Sequence, residues 1–202
     1  MKNLIPIFTV LLTIFFWGSS FPVMSFLLET VSPLILGAGR FSLAAFFSLL
    51  WCIYSFKKRI RLDHAFRFFI AGFIGIFLYN IFLNYGQQNV SAGASSFIVN
   101  CNPLFTALIG FFLLKQKVSV YHWFGIIFCL VGVSIISFDQ DGGLSLGSGS
   151  TLILFAAILT ASYFHILKPL VSIYGALTSA SYTILFGTIP MIFWFPETYE
   201  TI

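Results

Sequence analysis

The chain has 202 residues, 59% of them hydrophobic and 8% charged, with 27 Phe and a mean hydropathy of +1.00. A water-soluble domain of that composition could not cover its surface with polar groups, so a soluble fold is excluded and a lipid-facing one is implied. The net charge of +4 resides largely in short segments between apolar runs, where it orients a chain in a bilayer, and nucleic acid is not expected as a partner.

Seven apolar stretches, at 4–28, 33–56, 66–85, 92–114, 121–138, 150–167 and 178–195, each come close to the roughly 17–25 residues that a spanning helix needs. They predict an all-α, polytopic helical bundle in the lipid bilayer. The first stretch begins like a signal peptide, but it continues past Trp17 to Leu28 without a small-x-small cleavage site and reads as a retained helix. At its midpoint stands Trp17-Gly18-Ser19-Ser20, followed by Pro22. Tryptophan favours the membrane interface, so one at mid-depth implies either helix packing over Gly18 or an aromatic wall facing a cavity. In the second stretch Arg40 falls about seven residues in, roughly 10 Å below the end at ~1.5 Å per residue. A guanidinium at that depth needs a partner or a function. The third stretch carries Asn80 and Asn84 one turn apart on one face, with Tyr85 after them, which implies a polar stripe toward the bundle interior or hydrogen bonding between helices.

Near the middle of the fourth stretch lies Asn100-Cys101-Asn102-Pro103. Pro103 removes a backbone donor and frees a carbonyl close to Val99 and Asn100. Non-helical backbone at that depth is tolerated where protein covers it or where it lines a wet cavity, so a packed kink and a kink along a pathway are both open. Gly72 with Gly75, Ala92 through Ser96, Gly125 with Gly132, and Ala156, Ala157 and Ala161 recur at helical spacing and read as surfaces for close helix approach. His165, in the sixth stretch, is either a hydrogen-bonded structural residue or a proton carrier. Between the fifth and sixth stretches, Asp139, Asp141 and the Gly/Ser-rich run 142–150 resemble a flexible linker and mark the boundary between two halves.

Charge alternates from one connection to the next. Lys2, then Lys57, Lys58, Arg59, Arg61 and Arg67, then Lys115 and Lys117, then Lys168 occupy the N-terminus and every second connection. The others carry Glu29, no charge, Asp139 with Asp141, and Glu197 with Glu200. This pattern places the N-terminus in the cytoplasm. Cys52, Cys101 and Cys129 show no CxxC or ligand spacing and read as small core residues. There is no HExxH, phosphate-binding loop or GxSxG serine, and no pair of carboxylates within an apolar stretch, so neither an enzyme nor a cofactor or metal is expected.

Trp17-Gly18-Ser19-Ser20-Phe21, Pro33 with Arg40-Phe41, Ala94-Ser95-Ser96 with the run Pro103-Leu104-Phe105-Thr106-Ala107-Leu108, and Gly125 with Gly132-Val133 resemble the EamA-type transporters of the drug/metabolite transporter superfamily. The resemblance implies two five-helix repeats of opposite orientation around a central cavity. The first repeat would be 1–138, the connection 139–149, and 150–202 the first two helices of an incomplete second repeat. Ala161-Ser162-Tyr163-Phe164 echoes Phe16-Trp17-Gly18-Ser19 weakly. Two departures stand out: the family's last three helices have no counterpart, and Gln116 stands where the family has an acidic residue. A homodimer or the missing C-terminal helices would have to complete such a cavity.

On this resemblance the chain is a secondary transporter of small metabolites, amino acids being the leading class, in the cytoplasmic membrane of a bacterium. Trp17, Arg40, Asn80, Tyr85, Asn100 and Asn102 are expected to line the substrate cavity, with Arg40 available to a carboxylate, Pro103 breaking a helix and His165 the proton-linked candidate. The alternatives are a non-transporting fragment or scaffold and, third, a membrane enzyme.

Overall fold

The computed structural model describes residues 4–55, 60–116, 119–137 and 148–194. Lys2, Lys57, Lys58, Arg59, Lys117, Asp139, Asp141, the run 142–147, Glu197, Glu200 and the side chain of Cys129 lie outside that description.

All regular structure among the described residues is helical. Helices α1 (Leu4–Leu27) and α2 (Pro33–Tyr54) are followed by α3 (Leu62–Gly72), a π-helical turn at Phe73–Leu78, and α4 (Tyr79–Gln87). Then come α5 (Ala92–Val99), α6 (Asn102–Phe112), α7 (Val120–Ser137), α8 (Ser148–Tyr174) and α9 (Ala176–Thr188), the last running into a 3₁₀ segment at Ile189–Trp194. Two starts are set by capping. The Ser32 hydroxyl accepts from the Ile35 amide at 3.4 Å with Pro33 in the first turn, and the Ser91 hydroxyl accepts from the Ala94 amide at 3.3 Å.

Among the described residues, five segments are long and apolar enough to cross a bilayer: Pro6–Leu27, Pro33–Tyr54, Leu62–Gln87, Ala92–Phe112 and Ser148–Tyr174. Seven were expected. Helix α7 occupies the fifth stretch, and Ala176–Ile192 in the seventh is a shorter apolar helix. Two charged residues assigned to connections turn out to be helical: Arg67 sits within α3 and Lys168 within α8, which runs on through Pro169 to Tyr174. Proline within a helix is tolerated where neighbouring chain takes over the lost hydrogen bonding.

Helix α8 packs against α4, α5 and α6, while α9 packs against α2 and α3. Small residues make these approaches possible. A Cβ on Gly72 would fall 2.5 Å from the Thr183 carbonyl of α9, and one on Gly75 would fall 2.4 Å from the Tyr163 ring of α8. Ala156, Ala157 and Ala161 of α8 are fully buried. Cys52 and Cys101 are buried in the bundle as well. One core cluster joins Phe21, Met24, Leu36, Leu83, Ile98 and Ile153, and a second joins Phe68, Leu170 and Tyr174. Outward faces of α1 and α2 expose Phe8, Phe15, Phe26, Phe46 and Phe47, as helices that meet lipid do.

The two ends of the bundle differ in composition. At one, the Arg61 amide and the His64 ring hydrogen-bond the Tyr174 hydroxyl at 3.4 and 2.8 Å, bringing the start of α3 beside the end of α8. At the other, Leu28, Glu29 and residues Gln87 to Ser91 line a common cleft, and the Gly86 carbonyl lies against Gly149.

Candidate functional site

Three cavities collect most of the residues singled out in the sequence. The first, about 490 Å³, opens between α1, α2 and α4 and is lined by Thr13, Trp17, Met24, Arg40, Tyr79 and Asn80 among others. Trp17 is 50% exposed, and a Cβ on Gly18 would meet nothing within 4 Å. The indole therefore borders the cavity, and among the described residues nothing is packed over Gly18. Thr9, Thr13, Phe16, Trp17 and Ser20 reach the cavity together because i, i+3 and i+4 positions share a helix face.

Arg40 projects from α2 into this space. Its guanidinium donates to the Met24 thioether, a weak acceptor, and among the described residues no carboxylate lies within 4.0 Å of it. A planar group with five donors thus meets the cavity without a counter-charge. Tyr79 lines the same space. Asn80 is only 2% exposed and donates at 2.7 Å to the Ile76 carbonyl within the π-helical turn. Wider turns leave carbonyls poorly served, and the Asn80 amide supplies a donor to one of them.

Below Asn80 on the same face of α4, Asn84 and Gln87 are buried too. Asn84 donates to the Pro33 carbonyl of α2 at 3.0 Å, and Gln87 donates to the Phe21 carbonyl of α1 at 2.7 Å. The stripe thus ties α4 to both neighbours. Tyr85 points away from it, is 38% exposed, and borders none of the three cavities.

The fourth span is interrupted between α5 and α6. Asn100 and Cys101 have ψ of −2° and 1°, and Pro103 follows in the first turn of α6. Asn100 donates at 2.8 Å to the Ser96 carbonyl, while Cys101 is buried. Asn100 and Pro103 border a second cavity of about 410 Å³, shared with Tyr121, His122 and Gly125 of α7. A third, about 520 Å³, is lined by Asn102, Pro103, Thr106, Gln116, His122, His165 and Lys168 among others. The His165 Nε2 lies 2.9 Å from the Thr106 carbonyl, which can only accept, so that nitrogen carries the proton and fastens α8 to α6.

Trp17, Arg40 and Asn80 are therefore brought together, Asn102, Pro103 and His165 form a separate group, and Asn100 faces a cavity adjoining the latter. Tyr79, Met24, Gln87 and His122 escaped the sequence reading. Gln87 had a signal, since it continues the 80, 84 face by one turn. Met24 also had one, lying seven residues after Trp17. Tyr79 and His122 had none, because their roles follow from which helices meet. Among the described residues no group of His, Cys, Asp and Glu is placed to hold a metal.

Residues 4–138 match the profile of the EamA-like transporter family. An uncharacterized transporter of Bacillus subtilis, YdfC, is 31% identical over 180 residues, covering 89% of this chain and 59% of that protein. An uncharacterized transporter of Archaeoglobus fulgidus is 27% identical over 95% of this chain and 67% of its own length. A probable terminal-alkyne amino-acid exporter of Streptantibioticus cattleyicolor is 24% identical over 94% of this chain and 63% of its own. The chain thus spans about six-tenths of the length of such relatives. No solved structure matches significantly. With apolar spans, a polar-lined interior and a profile match across α1 to α7, the chain belongs to the EamA-like transporter family and is a multi-pass membrane protein.

Proposed function

We propose that the cavity between α1, α2 and α4 binds a small amphipathic metabolite bearing a carboxylate, with amino acids the leading class, and that the protein carries it across the cytoplasmic membrane as a secondary transporter. The observation that carries this reading is Arg40: a guanidinium inside the span, with a thioether as its hydrogen-bond partner and an apolar, aromatic wall of Phe16, Trp17 and Phe21 around it. A carboxylate would accept two parallel hydrogen bonds from the guanidinium, and the wall would take the apolar body of the ligand. The amino-acid exporter among the relatives supports the substrate class. In a carrier of inverted repeats the site lies between the repeats, so C-terminal helices or a second copy would complete the wall that α1 leaves open.

Uptake of labelled amino acids into proteoliposomes, and its loss in Arg40→Ala, tests the reading. A hydrogen bond to a charged group contributes about 1.5–3 kcal/mol, so apparent affinity should fall about 10- to 100-fold with the membrane level unchanged. Unchanged affinity removes Arg40 from the site, and loss of the protein from the membrane assigns it to structure.

A further inference from the structure

The cavity between α6, α7 and α8 carries a basic cluster that the Arg40 site does not use. Six of its nine lining residues are polar: Asn102, Thr106, Gln116, His122, His165 and Lys168. None is a carboxylate, and among the described residues no acidic side chain lies within 4.0 Å of Lys168. Helix α6 starts at this wall with Asn102 and Pro103, directly after α5 ends at Val99. His165 donates to the Thr106 carbonyl through one ring nitrogen, which fixes the imidazole as part of the wall.

Orientation of the chain in the bilayer would account for a lysine near a helix end. It does not require that lysine to share a cavity with two imidazoles and two amides. Ala107, Pro103 and His122 border both this cavity and the one beside Asn100, so the two adjoin along the interrupted span.

We propose that this cavity is a second anion station, separate from Arg40, in which Lys168 and His122 receive the carboxylate of a small metabolite beside the fixed ring of His165. The choice of a carboxylate rests on the transport reading above, whereas the station itself rests on this cavity alone.

Acetate is the probe, acetamide its neutral counterpart, and thiol labelling the readout. Cysteine is placed at Ala107, on the wall shared by the two cavities, in a chain whose native cysteines are replaced by alanine. The full chain in phosphatidylcholine nanodiscs is labelled with a neutral maleimide at constant ionic strength. Acetate at twice its dissociation constant should slow labelling about threefold, following 1 + [L]/Kd, and acetamide should not. Lys168→Gln and His122→Gln should each abolish the protection, and Arg67→Gln, which removes the same charge from an exposed position on α3, should keep it.

Equal slowing by acetamide, no slowing by acetate, or protection that survives both Lys168→Gln and His122→Gln would overturn the proposal. A lipid phosphate is the competing source of anion. Protection produced by phosphatidylglycerol nanodiscs without any effect of acetate would assign the site to a headgroup and also overturn it. Because labelling is independent of uptake, failure of the Arg40 experiment leaves this test standing, and the reverse holds as well.

Discussion

Gly72 and Gly187 set how closely α3 and α9 approach. A Cβ on Gly187 would stand 2.5 Å from Ile76 Cβ and 2.6 Å from the Gly72 carbonyl, and backbone cannot swing aside as a side-chain tip can. Gly187→Ala should therefore force the helices apart and destabilise the protein by about 1–3 kcal/mol. Thermal unfolding in detergent would show it. Gly18→Ala is the contrast, since nothing lies within 4 Å of its would-be Cβ and alanine is the better helix former, so its midpoint should hold or rise. A glycine's neighbours are not readable from its own segment. The sequence marked Gly72 and Gly75 as packing positions by their spacing, but left Gly18 open and gave no special notice to Gly187, whose partners are more than a hundred residues away.

At the scale of elements, α4 is the organiser. Its Asn84 and Gln87 side chains serve carbonyls of α2 and α1, and each is buried. Hydrogen bonds between membrane helices contribute about 0.6 kcal/mol on average and up to about 1.7. Gln87→Leu should destabilise the chain within that range and loosen α1, read as faster maleimide labelling of a cysteine at Trp17. An unchanged labelling rate would mean that the Phe21 carbonyl contact does not hold α1. The interruption at Asn100 and Cys101 makes a second forecast: cysteine at position 100, in a chain otherwise without cysteine, should react with an impermeant thiol reagent, because Asn100 borders a cavity. Protection from both sides in an active protein would favour a packed kink. The polar stripe and the proline break were legible because each is a local pattern of residues. The π-helical turn at Phe73–Leu78 was not, since one extra residue in a turn leaves no mark in an apolar run. Tyr85 stands apart from the stripe: a step of about 100° from Asn84 carries it to the exposed side of α4.

The whole molecule joins the charge pattern to the packing. Arg61 and His64, opening α3, meet Tyr174, closing α8, so the basic second connection and the end of α8 beyond Lys168 share one end of the bundle. Glu29 lines a cleft with Gln87 to Ser91, which puts the first and third connections at the other end, where no Lys or Arg falls. Helix packing and charge thus divide these four connections in the same way, although neither was derived from the other. Which end faces the cytoplasm is set by the basic residues, because Lys and Arg are retained on that side during insertion. Reporter fusions after Arg61 and after Val90 should accordingly report cytoplasm and exterior. Two equal signals would contradict the alternating path of the chain, and the reverse order would leave the path intact but invert it. Neutralising Lys57, Lys58, Arg59 and Arg61 together should erode the bias at both fusions, since those four supply most of the charge near the second and third spans. A bias that persists undiminished would mean that the first span, with Lys2 before it, fixes the orientation alone.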